Sequence, residues 1–208
     1  QILIEYVGTY FVGWQIQKKG KSIQKTVQSI LSKLLKEKIN LYGSGRTDAG
    51  VHAIEQSAHF DVRHKIQNID KTIKSLNFFL NNKMISIIKI KKKNINFHAR
   101  HSAKQRIYIY LIQNRLSPST LNKDREWHIR KKLDIKLIKK GSKKLIGTHD
   151  FSTFRASNCS AISPVKTINE ILISKSKNCI KLKFKSKSFL KNQVRSMVGC
   201  LKYLGEKK

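Results

Sequence analysis

Apolar residues recur along the chain at two different periods, and the switches between them outline two successive blocks of secondary structure. Ile2 to Tyr6 is a short apolar run, and a loop holding Gly8 and Gly13 follows it. From Ser22 to Glu37, Ile23, Val27, Ile30, Leu31, Leu34 and Leu35 fall at helical spacing, which predicts an amphipathic helix. Ile39 to Tyr42 then leads into a loop over Gly43 to Gly50. Beyond it, Gln56 to Val62 alternates Ala58, Phe60 and Val62 against Ser57, His59 and Asp61, as a half-buried strand does. Helical spacing returns through Ile69, Ile73, Leu76 and Leu80, and Met84 to Ile90 reads as a strand. The first block is therefore β, α, β, β, α, β.

The second block runs in a similar order. A strand is predicted over Arg106 to Gln113, a helix near Asp134 to Ile146 with Asp134 as its N-cap, strands near Ile168 to Ser174 and Ile180 to Lys185, and a last helix around Leu190 to Leu204. The pattern predicts an α+β protein of two halves, residues 1–100 and 101–208, each a sheet with its helices on one face and a cleft between them. If edge strands pair, the two sheets become one. No internal sequence repeat accompanies the similarity in order. Only Pro118 and Pro164 interrupt the chain and no Gly/Ser-rich linker separates the halves, which favours one compact unit.

Composition adds a partner to this picture. The 208 residues include 44 Lys and Arg against 12 Asp and Glu, a formal charge of +32. That balance favours a polyanion through counterion release, so nucleic acid is the first partner to consider. Lys, Ile and Asn are all abundant, and AT-rich codons would enrich the three together without selection for RNA binding. The charge alone therefore leaves both explanations open. Cys159, Cys179 and Cys200 are an odd, widely spaced set without a CxxC pair, which fits a reducing cytosol better than a disulfide framework or a zinc ribbon. No apolar run approaches the roughly 18 residues of a membrane span, and Gln1 to Glu5 lacks the basic stretch of a signal peptide. The expectation is a soluble, cytoplasmic, untargeted chain.

The segment Gly43-Ser44-Gly45-Arg46-Thr47-Asp48-Ala49-Gly50 concentrates three glycines, which permits positive φ angles and close approach of backbone or ligand. Two phosphate-cradling motifs fail here. A dinucleotide fingerprint needs Gly where Asp48 stands, and a Walker loop needs Lys-Ser/Thr where Val51-His52 stand. What remains is a flexible loop presenting the acid Asp48 two residues from the guanidinium of Arg46. From the residues alone, an aspartate that bonds its own backbone in a turn accounts for the segment better than a catalytic acid does. His52, His59, His64, His98 and His101 match no zinc spacing, and the H-x-E with P-C-x-x-C of a zinc deaminase is absent, so no metal is expected.

Gly45 to Ala53, GRTDAGVHA, resembles the most diagnostic segment of the TruA family of tRNA pseudouridine synthases. Further segments match that family in order: Glu5-Tyr6 with Gly8-Thr9 and Gly13-Trp14-Gln15, Phe97-His98-Ala99-Arg100 with Ser102-Ala103, and Arg106-Ile107-Tyr108-Ile109-Tyr110. Then come Gly147-Thr148-His149-Asp150-Phe151 with Phe154-Arg155, and Phe189-Leu190 with Val194-Arg195 and Gly199. The resemblance covers essentially the whole chain.

That resemblance implies a pseudouridine synthase fold of two ferredoxin-like halves, with a mixed, mostly antiparallel central sheet and a basic cleft. It implies a homodimer that isomerises uridine to pseudouridine at nucleotides 38, 39 and 40 of the tRNA anticodon stem-loop, without a cofactor. Residue by residue, it makes Asp48 the catalytic aspartate, acting at the ribose or the base. Tyr108 becomes the tyrosine that stacks on the target base, although a core-filling strand tyrosine fits its pattern equally. Arg195 becomes the basic residue set against the carboxylate, where the bland reading is an exposed helix arginine. Arg46 becomes the residue that fills the space of the flipped nucleotide.

Two departures stand beside the matches. Val7 replaces the Asp usual in the first strand's exit loop. The chain also stops at Lys208, where relatives continue to a Pro and a Gly-Leu tail, so an uncovered sheet edge is expected in the second half. The alternatives to a tRNA synthase are a non-catalytic RNA-binding or tRNA-chaperone protein of such ancestry, and a synthase acting on another RNA.

Overall fold

The computed structural model describes residues 1–208 and divides them into two compact units, Gln1–Ala103 and Lys104–Lys208. The first unit contains β1 (Ile2–Tyr6), α1 (Ile23–Leu35), β2 (Tyr42–Gly43), β3 (Ala53–His59), α2 (Ile69–Leu80) and β4 (Ile85–Ile90). All its strand pairs are antiparallel, in the order β2-β3-β1-β4. This is the split β-α-β of ferredoxin-like units. Ser22 caps α1 by accepting the Lys25 N–H, and Asn68 caps α2 by accepting the Lys71 N–H at 2.8 Å. Ile23, Val27 and Leu31 of α1 and Leu76 and Leu80 of α2 bury against the same cluster as Ile2, Ile4, Tyr6, Ile85 and Ile87. Both helices therefore cover one face of the sheet.

The second unit contains β5 (Arg106–Asn114), β6 (Trp127–Ile129), α3 (Ile135–Lys143), β7 (Gly147–Asp150), β8 (Val165–Ser176), β9 (Cys179–Ser186) and α4 (Gln193–Gly205). Its sheet runs β6-β5-β9-β8-β7, with β6 parallel to β5 and every other pair antiparallel. Asp134 caps α3, accepting from the Lys136 and Leu137 N–H groups at 2.9 and 3.1 Å. Ile138 of α3 and Val194, Met197, Val198 and Leu201 of α4 share the second core with Ile112, Ile168, Ile180, Leu182 and Phe184.

Several boundaries differ from the sequence reading. β3 spans Ala53 to His59 rather than Gln56 to Val62, and Phe60 and Val62 pack on the core beyond its end. β6 and β7 are additions, and β6 lies along the edge of β5. The strands hydrogen-bond into two sheets, one per unit. No helix is long and apolar enough to cross a membrane.

Candidate active site

The hairpin between β2 and β3 carries the Arg46-Thr47-Asp48 segment, and its register sets where that segment stands. Tyr42 pairs with His59 and Gly43 with Ala58. Past the strand, the Ser44 N–H donates to Ser57 O at 2.8 Å and the Gln56 side-chain amide donates to Gly45 O at 2.6 Å, which carries the hairpin one step further.

The loop is pinned rather than flexible. Trp14 N–H donates to Thr47 O at 3.0 Å, the Tyr6 and Thr47 hydroxyls lie 2.9 Å apart, and Gly8 N–H donates to His52 Nδ1 at 3.1 Å. Thr47 and His52 thus fix both flanks of Asp48, and Asp48 itself is exposed. Between them the Val51 N–H closes a turn on Asp48 O at 3.2 Å. Gly50, with φ +77°, occupies the third position of that turn, where type II geometry needs a positive φ.

The glycines serve mainly close approach. A Cβ on Gly8 would lie 2.1 Å from Val51 O, one on Gly13 would lie 2.6 Å from Thr47 O, and one on Gly43 would lie 2.6 Å from the Trp14 indole. Of the three glycines in Gly43 to Gly50, only Gly50 has a positive φ. Trp14 is almost fully buried with its ring 6.2 Å from that of Tyr6, so the loop rests on a rigid aromatic floor. Arg46 is exposed on the same loop.

In the second unit Tyr108 stands in β5 opposite Phe184 of β9. It is half-buried against the core, and the Phe189 ring lies 5.1 Å away at 83° to its plane. The alternation read from sequence holds: Tyr108 and Tyr110 face the core, while Ile107 and Ile109 are exposed. Arg195 lies on an exposed part of α4, between the buried Val194 and Met197. Arg46 and Asp48 therefore share one loop in the first unit, and Tyr108 and Arg195 stand on separate elements of the second.

His59, His98 and His101 form a ring series with neighbouring centroids 4.5 Å apart, and Tyr42 stacks on His59 at 5.1 Å. His59 Nδ1 accepts the Ala99 N–H at 3.1 Å. Burial first, and the neighbouring His98 second, push its pKa below the usual imidazole value. No group of three or more His, Cys, Asp or Glu side chains is placed to hold a metal ion.

Tyr6, Trp14, Thr47 and His52 received no individual role from the sequence. All four stand in the segments that match the TruA family, which marked their positions without naming what they touch.

A family model described as tRNA pseudouridine synthase matches residues 2–102 and 142–208. The tRNA pseudouridine synthase A of Pelagibacter ubique (strain HTCC1062) is 67% identical over 208 residues, covering all of this chain and 85% of that protein. That of Ehrlichia canis (strain Jake) is 42% identical over 209 residues, 99% of this chain and 84% of that protein. That of Rhodospirillum centenum (strain ATCC 51521 / SW) is 38% identical over 206 residues, with 99% and 84% covered.

Proposed function

Because the chain belongs to the tRNA pseudouridine synthase family, and is accordingly an isomerase of tRNA uridine, we propose that Asp48 is its catalytic carboxylate and that its targets are nucleotides 38, 39 and 40 of the anticodon stem-loop. The reaction breaks the bond between uracil N1 and ribose C1′ and forms one between uracil C5 and C1′. The proton at C5 is released and N1 gains one. An anionic group must bond to, or stabilise, the electron-poor centre while the detached uracil turns. Asp48 supplies that group whether it acts at the ribose or at the base.

The observation that carries this reading is the pinning of Thr47 and His52 on either side of an exposed Asp48. A carboxylate so held keeps its orientation without reorganising during the reaction. Arg46, on the same loop, fills the gap left in the RNA when the target nucleotide flips out. Tyr108 stacks on the flipped uracil, and Arg195 is a further, basic substrate-binding residue. The +32 formal charge supports a polyanionic substrate. The working form is a homodimer in which each tRNA spans both subunits, and a tRNA substrate puts the reaction in the cytoplasm.

Tritium release from tRNA labelled at uridine C5 tests the assignment. Wild-type enzyme releases tritium from tRNA with uridine at nucleotides 38 to 40 and none when cytidine replaces those uridines. Equal release from both tRNAs would overturn the choice of target, and no release from either would overturn catalysis. Light scattering checks the dimer, with a molar mass near twice the 24.0 kDa of the chain expected.

A further inference from the structure

Phe189 and Leu190 belong to the matching segments, but the reaction as described gives them no task. The turn that carries them is held by four partners outside it and by bonds of its own. Ser186 Oγ contacts Thr167 O at 2.7 Å and accepts the Ser188 N–H at 3.2 Å, and the Arg106 guanidinium donates to Lys187 O. Ala156 N–H donates to Lys191 O at 3.1 Å, and Lys191 N–H donates to Cys159 Sγ at 3.4 Å. Leu190 N–H donates to Gln193 Oε1 at 2.8 Å, and Gln193 N–H returns to Leu190 O at 3.2 Å.

Two costs are tolerated inside this turn. Asn192 adopts a left-handed φ of 63°, and the fully buried Gln193 leaves its Nε2 donor without a partner. Strain and a buried unpaired donor of this kind persist where the surroundings over-determine the conformation, and they cluster at sites where geometry matters. What the turn delivers is the Phe189 ring, edge-to-face with Tyr108 at 5.1 Å and 83°.

We propose that Phe189 is a positioning residue: braced by the Ser186–Gln193 turn, its ring fixes the tilt at which Tyr108 meets the target base. Aromatic pairs in this geometry attract beyond their contact area, so the Phe189 ring biases the orientation of Tyr108 rather than merely filling space beside it. The inference rests on the reading of Tyr108 as the base-stacking residue. Phe189 touches neither the reacting atoms nor the tRNA backbone in this scheme.

A double-mutant cycle tests it with the full chain, reading single-turnover tritium release and tRNA affinity by filter binding. Phe189→Leu lowers the single-turnover rate about tenfold, as small misplacements in an active site do, while affinity stays within about twofold. In the Tyr108→Leu background the same change adds less than about twofold, because the ring it positions is gone. A wild-type rate for Phe189→Leu, or a tenfold loss that persists without Tyr108, would overturn the proposal. If Phe189→Leu does not fold, the nearly isosteric Phe189→Met takes its place with the same criteria. Tyr108→Leu measured alone separates the two layers, since an undiminished rate there defeats the stacking role of Tyr108 itself.

Discussion

In the first unit Asp48 stands on a loop shaped by backbone lying against backbone, whereas in the second Tyr108 stands in mid-strand, placed by the register of β5 on β9 and by an aromatic neighbour. The first arrangement depends on atoms that are missing, the Cβ atoms of Gly8 and Gly13, whose absence lets Val51 and Thr47 come within touching distance. The second depends on side chains that are present. A region of the first kind is damaged by adding a methyl group, and one of the second kind by removing polar or aromatic atoms.

The largest expected effect falls on the second unit. The Asn114 side chain accepts the Leu133 N–H at 3.0 Å and donates to Ile129 O at 2.9 Å and Lys131 O at 2.8 Å, tying β5 to β6 and to the entry of α3. Asn114→Ala leaves these groups unpaired and costs about 4 kcal/mol, as buried donors and acceptors without partners do. Denaturant unfolding of the full chain checks it, and a loss below about 1 kcal/mol would show that the side chain is not what holds that strand pair.

Next comes Gly8→Ala, which forces a Cβ toward Val51 O and costs about 3 kcal/mol, at the upper end for overpacking. The comparison is sharpest here, because one methyl group should also lower tritium release at least about tenfold by displacing the Asp48 turn. A variant with wild-type stability and rate would mean that the loop is not held by close approach. Smaller is Tyr6→Phe, which removes one hydroxyl partner of Thr47 and costs about 1 kcal/mol. Its effect should be seen in the rate more than in tRNA affinity.

The smallest effect is a pH dependence confined to the first unit. The pKa of His59 is lower in the folded chain than its unfolded value of 6.5, so the neutral ring is the form the fold prefers. Stability from this source is complete above pH 6.5 and declines as pH falls through the range below it, where the unfolded chain takes up a proton first. Unfolding measured between pH 7.5 and 5 should show this decline, and His59→Gln should flatten it.

The sequence revealed the elements whose apolar period is long and regular. Helices α1 and α2, the cap Asp134, and strands β1, β5, β8 and β9 follow directly from spacing and end residues. It concealed β6 and β7 because Trp127-His128-Ile129 and Gly147-Thr148-His149-Asp150 are too short and polar for alternation to register. Their pairing comes from the neighbouring strand rather than from local preference. At the site, Asp48 was visible as an acid among glycines, but its anchoring was not. The contacts from Tyr6, Gly8 and Trp14 to Thr47 and His52 span about 30 to 45 residues of chain, and no local pattern encodes them.

The claim that Asp48 performs the chemistry while the contacts that pin Thr47 and His52 hold it in place is tested most directly by Asp48→Ala, assayed for tritium release and tRNA binding together. The account predicts that release falls below detection while the dissociation constant for tRNA stays within about threefold of wild type, because the carboxylate acts on the reacting uridine rather than on affinity. Release that continues at a measurable fraction of the wild-type rate would contradict it.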